Sequence, residues 1–245
     1  MVNISFSQLS NIGRRKVNED SIGVYKGPNA HAFILCDGLG GHGMGDKASS
    51  LVRDVFINQF QNMQDCSNIL PSTFMAAQDI LMCEQIRQKA QSKMKTTAVA
   101  LVVDEDKAYI GHVGDSRLYI FRNNKVMKRT LDHSIPQMLV ASKEIKESDI
   151  RNHPDRSMLV KVMGIEWEKP LFELMKPIPL RKCQAFLLCS DGFWELINED
   201  EMCKCLEKAV NVDHWLQMMN DIVQSNGINV NMDNNSAIAV WCKRD

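Results

Sequence analysis

Five aspartates, each set in a turn of small or polar residues, are the part of this sequence best suited to chemistry. They are Asp20 in Asn18-Glu19-Asp20, Asp37 in Asp37-Gly38-Leu39-Gly40-Gly41-His42-Gly43, Asp115 in Gly114-Asp115-Ser116, Asp191 in Ser190-Asp191-Gly192, and Asp233 in Asp233-Asn234-Asn235. The apolar run Phe33-Ile34-Leu35-Cys36 leads straight into Asp37, and Leu187-Leu188-Cys189 into Ser190-Asp191. Strand ends aimed at one rim bring carboxylates together, and magnesium and manganese favour such all-oxygen surroundings. Asp37 has two oxygens with which to bridge two ions. Gly38 lacks a Cβ, so its carbonyl can approach a cation. A binuclear site of this kind lowers the pKa of a bridging water towards neutrality. It presents hydroxide between ions about 3.5–4 Å apart, suited to in-line attack at phosphorus. Any one Asp-Gly is also an ordinary turn; it is the recurrence that points to metal.

Phosphoryl chemistry also needs a cation on the equatorial oxygens, and the planar fork of arginine grips phosphate bidentately. Gly13-Arg14-Arg15-Lys16 lies just upstream of Asn18-Glu19-Asp20 and is the candidate clamp; a lone basic cluster of this sort is otherwise a solvated turn. His42 follows two glycines and is a candidate general acid for the leaving alkoxide, the alternative being that it only orders the Gly-rich loop. His112, inside a strand, reads as a core or supporting residue. His133, in Asp132-His133-Ser134, reads as a structural turn or a contact to a flap.

The elements that must position these residues follow from periodicity. Ala48, Leu51, Val52, Val55, Phe56 and Phe60 recur at helical spacing, predicting a helix over Asp46 to Phe60 with Asp46 as its N-cap. A second helix is predicted from about Ser72 to Ser92, with Pro71 at its start. A β-meander follows: Thr96 to Val103, Ala108 to Val113, Arg117 to Arg122, then Asn123-Asn124 as a two-residue turn into Lys125–Arg129. Ala185–Cys189 and Ala237–Cys242 read as strands, and Glu199–Lys208 and Asp213–Ser225 as helices. The stretch Ser134 to Met163 is polar and weakly periodic, and is expected to be a mobile or partly helical insert. Strand clusters and helix clusters that do not alternate regularly argue for an α+β layered domain over a doubly wound sheet.

Composition limits the alternatives. The chain has 245 residues, 44% hydrophobic and 24% charged, as in an ordinary soluble globule. Net charge is −1, which gives no electrostatic case for nucleic acid or an anionic membrane. The eight cysteines include no C-x-x-C pair, and are expected to be reduced, inert thiols of a cytoplasmic protein. No apolar run approaches the ~20 residues that span a bilayer.

In their order, these motifs resemble the metal-dependent type 2C protein serine/threonine phosphatases, specifically their compact bacterial branch. Gly13-Arg14-Arg15-Lys16-Val17-Asn18-Glu19-Asp20 is similar to the first family motif, whose phosphate-binding arginine corresponds to Arg15. Asp37-Gly38-Leu39-Gly40-Gly41-His42 is similar to the motif that bridges both metals through the aspartate and ligates one through the glycine carbonyl. Thr96-Thr97-Ala98 resembles the motif that opens the central meander. Gly111-His112-Val113-Gly114-Asp115-Ser116-Arg117-Leu118-Tyr119 is the most specific match, and its Asp115 corresponds to the residue that takes a third, weaker ion in bacterial members. Asp132-His133-Ser134 and Arg151-Asn152-His153-Pro154 resemble the borders of the family flap. Ser190-Asp191-Gly192 and Asp233-Asn234 resemble the last two metal motifs. Glu19 resembles a further acidic position at the second metal, reached through water, and Asp20 would lie behind the ligands in support of catalysis. Two departures stand out. Leu39 occupies the place of the histidine that follows Asp-Gly in animal members, which leaves His42 as the candidate acid. Lys95 replaces a glycine common before the Thr-Thr pair.

The resemblance implies a four-layer α-β-β-α sandwich, two antiparallel sheets flanked by helices with the metals at one end. It implies one catalytic domain over residues 1–245, with 134–163 as the flap. Two manganese or magnesium ions would be held by Asp37, Gly38, Asp191 and Asp233, with Glu19 nearby and a third ion at Asp115. The implied activity is hydrolysis of phosphoserine or phosphothreonine on protein substrates by a metal-bridging hydroxide, with no phosphoenzyme. Arg15 would steady the phosphate, and His42 or a metal-bound water would protonate the leaving oxygen. The expected partners are phosphoproteins and a cognate Ser/Thr kinase in bacterial signalling, with neither nucleic acid nor membrane, and the expected state is a monomer. Two other readings fit the same fold: a catalytically silent binding module and a hydrolase of small phosphate esters.

Overall fold

The computed structural model describes residues 2–40, 43–91 and 93–244. Among these residues, eleven strands and six α-helices follow one another as β1 (Val2–Asn11), β2 (Asp20–Lys26), β3 (His31–Asp37), α1 (Gly45–Gln61), α2 (Ile69–Gln88), β4 (Ala98–Val103), β5 (Lys107–Val113), β6 (Arg117–Arg122), β7 (Lys125–Arg129), α3 (Ile135–Ala141), β8 (Glu173–Leu174), β9 (Ile178–Pro179), β10 (Ala185–Cys189), α4 (Asp191–Trp194), α5 (Glu199–Lys208), α6 (Val212–Gly227) and β11 (Asn235–Arg244).

The strands form two antiparallel sheets. The first runs β1-β11-β10-β6-β7; the second runs β2-β3-β4-β5-β8, with β9 also on β5. Alternation along each strand divides its side chains between two layers. Leu188, Phe186, Ile238, Val240, Leu118 and Ile120 of the first sheet meet Phe33, Leu35, Val99, Leu101 and Ile110 of the second in a buried inner core. The opposite face of the first sheet, with Leu187, Ala239 and Tyr119, packs on α4, α5 and α6 through Trp194, Met202, Trp215 and Met219. The opposite face of the second sheet, with Ile34, Ala100 and Val102, packs on α1 and α2 through Val52, Phe56, Phe74 and Leu81. The result is the expected four-layer α-β-β-α sandwich. No helix among the described residues is long and apolar enough to cross a membrane.

Several elements differ from the sequence-based expectation. The α1 N-cap is Met44, which makes no side-chain cap bond, and Asp46 lies inside the first turn. There its negative charge still complements the helix dipole. Pro71 sits within the first turn of α2, which starts at Ile69; a proline there loses no helical hydrogen bond, because that N–H has no intrahelical acceptor. Asn123 and Asn124 both adopt positive φ (51° and 57°), the two-residue turn that matches strand twist. The 134–163 stretch contains α3, capped by Ser134, and a 3₁₀ turn over Glu147–Asn152. It is tied to the body by Ile135 N–H to the Met158 carbonyl (3.0 Å), Val160 N–H to the His133 carbonyl (2.8 Å) and Met163 N–H to the Thr96 carbonyl (2.9 Å).

Candidate active site

The loops and strand ends at one end of the sandwich surround a cavity of about 570 Å³. Glu19, Asp37, Asp115, Asp191 and Asp233 line it, together with Arg15 and Gly38. They arrive from different elements: Glu19 just before β2, Asp37 at the end of β3, Asp115 in the β5–β6 turn, Asp191 at the start of α4 after β10, and Asp233 just before β11. Asp20 lies directly behind them, paired with Asp37 across β2 and β3. His42 lies outside the described residues.

Asp37 and Asp115 are held by their backbones. The Asp37 carbonyl accepts from the Thr97 N–H and the Thr96 hydroxyl, both at 2.8 Å, and the Thr97 hydroxyl accepts from the Asp37 N–H at 3.1 Å. That hydroxyl in turn meets the Ser116 hydroxyl at 2.7 Å, joining the Asp37 strand end to the Asp115 turn. The turn itself relies on Gly114 at φ +101°, a conformation that a residue with a Cβ adopts only with strain. Trp194 Nε1 donates to the Asp115 carbonyl at 3.0 Å. Glu19 carries its carboxylate to the first turn of α1, where the backbone amides of Gly45 and Asp46 donate to it.

Gly38 shows why no other residue fits there. A Cβ on it would lie 2.2 Å from the Gly45 carbonyl oxygen and 2.8 Å from that of Glu19. Gly38→Ala is therefore expected to destabilise the fold by about 1–3 kcal/mol and to displace the Asp37 turn. Urea denaturation of the variant checks the first effect, and unchanged stability would show that the turn has slack.

Arg15 Nη2 donates to Asp233 Oδ2 at 2.5 Å, and this bond holds the guanidinium above its ordinary pKa. The arm that carries Arg15 is tethered by Asn234, a residue whose importance the sequence did not reveal. Asn234 Nδ2 donates to the carbonyls of Ile12 (2.8 Å) and Val17 (3.0 Å), and its Oδ1 accepts from the Glu19 N–H (2.9 Å). Asp233 and Arg15 thus belong to one clamp, closed across more than two hundred residues of sequence.

The electrostatics of the set are unfavourable without a cation. Burial, reinforced by Asp20 and Asp191, holds the Asp37 carboxyl well above the usual carboxylate range. Burial, reinforced by Asp115, Glu195 and Asp233, does the same to Asp191. Asp115 is pushed up to about 7, by burial and then by Asp132. Asp20 is pushed up to about 6 by burial, against hydrogen bonds from Ser236 and Ser190, and its Oδ1 is buried with no hydrogen-bond partner. Glu19 is raised by burial and by Asp46. Carboxylates that line one cavity and raise one another in this way, with Arg15 already bonded to Asp233, are a charge set that hard divalent cations would relieve.

A consequence follows for the metal-free protein. An acid whose folded pKa is raised binds its proton more tightly when folded than when unfolded, so stability is lost as pH rises between the two values. With Asp20 near 6, Asp115 near 7 and Asp37 and Asp191 also raised, the melting temperature in EDTA is expected to fall as pH rises from about 4 to 8. Added manganese is expected to reverse that fall. A flat pH profile in EDTA would contradict the described burial.

A second cluster, His112, His133 and Glu173, brings three potential ligand atoms within 4.8 Å of one another. Its hydrogen bonds argue against metal. The Gly114 N–H donates to His133 Nδ1 at 3.1 Å, so the neutral ring carries its proton on Nε2, facing Glu173 Oε1 at 3.0 Å. His112 Nε2 meets the Leu131 carbonyl at 2.8 Å. Burial lowers both imidazoles, His133 to about 4, so both stay neutral. His133 clasps Gly114 from both sides, since its N–H also donates to the Gly114 carbonyl at 3.0 Å. Its own carbonyl accepts from Val160, so it joins the Asp115 turn to the 134–163 stretch.

The sequence pattern of the family described as Protein phosphatase 2C matches residues 8–227. The chain belongs to the protein phosphatase 2C family. It is therefore a protein phosphatase, a hydrolase of phosphoric monoesters. Among its relatives, the serine/threonine phosphatase stp of Listeria welshimeri serovar 6b is 31% identical over 198 residues, 77% of each chain. The solved structure of the serine/threonine phosphatase Stp1 from Staphylococcus aureus superposes with a TM-score of 0.88 at 28% identity, covering 100% of this chain and 96% of that one. The catalytic domain of the phosphatase PstP, solved in complex with two manganese ions, superposes with a TM-score of 0.80 and full coverage of both chains, and at 21% identity is a likeness of fold. In this phosphatase 2C fold the carboxylate-lined cavity lies at the loop end of the sandwich.

Proposed function

We propose that the protein is a metal-dependent phosphatase of phosphoserine and phosphothreonine on protein substrates. The observation that carries this is the convergence of Glu19, Asp37, Asp115, Asp191 and Asp233 on one cavity beside Arg15. Asp37, Asp191, Asp233 and the Gly38 carbonyl would hold two manganese or magnesium ions, with Glu19 reaching them through water and Asp115 taking a third. When bound, two such ions supply hydroxide at neutral pH for direct in-line attack on phosphorus, without a phosphoenzyme, and draw charge from the phosphoryl oxygens.

The protein's own residues do the rest. Arg15, aimed by Asp233, binds and orients the equatorial oxygens. Asp20, behind Asp37 and bonded by the Ser190 hydroxyl at 2.9 Å, fixes the Asp37 strand end and supports the charge of the set. His42 remains the candidate donor of a proton to the leaving serine or threonine oxygen. Residues 1–245 act as one catalytic domain, and the 134–163 stretch, whose Ser157, Leu159, Val160 and Val162 line the cavity, acts as the flap that contacts substrate. In a bacterial signalling pathway the protein would reverse a Ser/Thr kinase, as a cytoplasmic monomer. Buried thiols such as Cys36 and Cys189, whose pKa burial pushes up, suit a reducing compartment.

Calorimetric titration tests the metal assignment. Manganese is expected to bind the wild type with a stoichiometry of at least two, and Asp233→Ala to lose one of those sites. Binding of manganese by Asp233→Ala with unchanged stoichiometry and affinity would contradict the ligand set.

A further inference from the structure

We propose that Lys95 determines substrate specificity, its ammonium receiving an anionic side chain next to the phosphorylated residue. This rests on the phosphatase reading above and names the class of substrate within it: phosphoproteins with an acidic group flanking the phosphate.

Lys95 lines the same cavity as the five carboxylates and Arg15. Gly38 and Thr96 face each other as an isolated antiparallel bridge, and the Leu39 N–H donates to the Lys95 carbonyl at 3.0 Å. Lys95 therefore stands one residue outward from the partner of Gly38, on the second sheet. Arg15 is held at the head of β11, in the first sheet, by Asp233. The two cations thus reach one cavity from different sheets.

The two cations differ in what they are free to do. Arg15 is bonded to a carboxylate of the site. Lys95 forms no ion pair and no side-chain hydrogen bond among the described residues, although acids line the cavity around it. The residue is half-buried, and Leu39, Val162 and Ile165 line the cavity with it. An apolar border lowers the local dielectric and strengthens the pairing of an ammonium with an incoming anion. A lysine is a compact charge on a flexible stem, suited to a carboxylate whose position varies between substrates.

The test is a panel of phosphothreonine peptides in which one flanking residue is Glu, Lys or a phosphonate that cannot be hydrolysed, stepped through the positions on either side. Wild type, Lys95→Met and Lys95→Glu are compared with manganese present, after melting curves show that all three are folded. The wild type is expected to favour Glu over Lys in kcat/KM by about fivefold at one flank, the size of a partly exposed charge pair. Lys95→Met is expected to flatten that ratio and Lys95→Glu to invert it, chiefly through KM. A stronger preference for the phosphonate than for Glu would assign a second phosphate as the natural anion; a preference for Glu assigns a carboxylate. A ratio unmoved by charge reversal, or rates changed equally for every peptide, would overturn the proposal while leaving the phosphatase reading intact. Failure of the wild type to hydrolyse any peptide would overturn both.

Discussion

Asp191→Ala is expected to lose metal-dependent hydrolysis of a phosphothreonine peptide by about a thousandfold or more, equivalent to about 4 kcal/mol of transition-state stabilisation. Asp191 is the first residue of α4, and its carboxylate lines the cavity with Asp37, Asp115 and Asp233. Removing it would take away a proposed metal ligand that no neighbour replaces, because Asp115 and Asp233 are fixed by their own turns. The same substitution is expected to raise the melting temperature of the metal-free protein above pH 6. It deletes a buried acid that repels Asp37, Asp115 and Asp233. An inactive variant that is more stable without metal distinguishes loss of a ligand from loss of the fold. Full manganese-dependent activity in Asp191→Ala would remove it from the site.

Asp132→Ala is expected to cost about 3–5 kcal/mol of stability. Arg117 donates to Asp132 through Nε at 2.8 Å and Nη2 at 2.6 Å, with both side chains 2% exposed. The substitution leaves a buried guanidinium without its bidentate partner, and among the described residues only Glu199, at 3.9 Å, remains as a counter-charge. Its effect reaches the active site by contact. The Arg117 guanidinium lies 3.4 Å over the Trp194 ring, and the indole N–H of Trp194 holds the Asp115 carbonyl. Urea denaturation measures the loss. A double replacement by apolar residues, Arg117→Met with Asp132→Leu, is expected to recover much of it, since it leaves no buried charge unpaired. A loss below about 1 kcal/mol in Asp132→Ala would mean that water reaches the pair.

What the sequence revealed and what it hid divide along physical lines. Arg117–Arg122, Lys125–Arg129, Ala185–Cys189 and Glu199–Lys208 match the observed elements end to end, because their periodicity or turn residues are local. The strand β1 has no clear signature in the sequence, although its apolar residues Ile4, Phe6 and Leu9 are half-buried. Serines and glutamine between them mask a single-sided edge strand. In β2, Gly23 breaks the apolar pattern, yet a Cβ there would meet the Ile57 side chain at 2.9 Å, so the residue that weakens the signal is the one that lets α1 pack. Strands β8 and β9 have two residues each, too few for any period.

The site follows the same division. Its acids are legible because each sits in a short turn, Asp37, Asp115 and Asp191 at or just beyond the end of a strand-like run. Asn234 and Trp194 were not, because their bonds span 79 to 222 residues of sequence. Asp132 was visible only as part of a motif, and its pairing with Arg117 joins the turns on either side of the β6–β7 hairpin. Tertiary partners of this kind leave no local trace.

The most direct test is release of phosphate from a phosphothreonine peptide by the wild-type protein with manganese, with magnesium and with EDTA. Hydrolysis with either metal and none in EDTA is the predicted result. Folded protein that releases no phosphate with either ion, or that releases it equally well in EDTA, would contradict a catalytic centre built on these carboxylates.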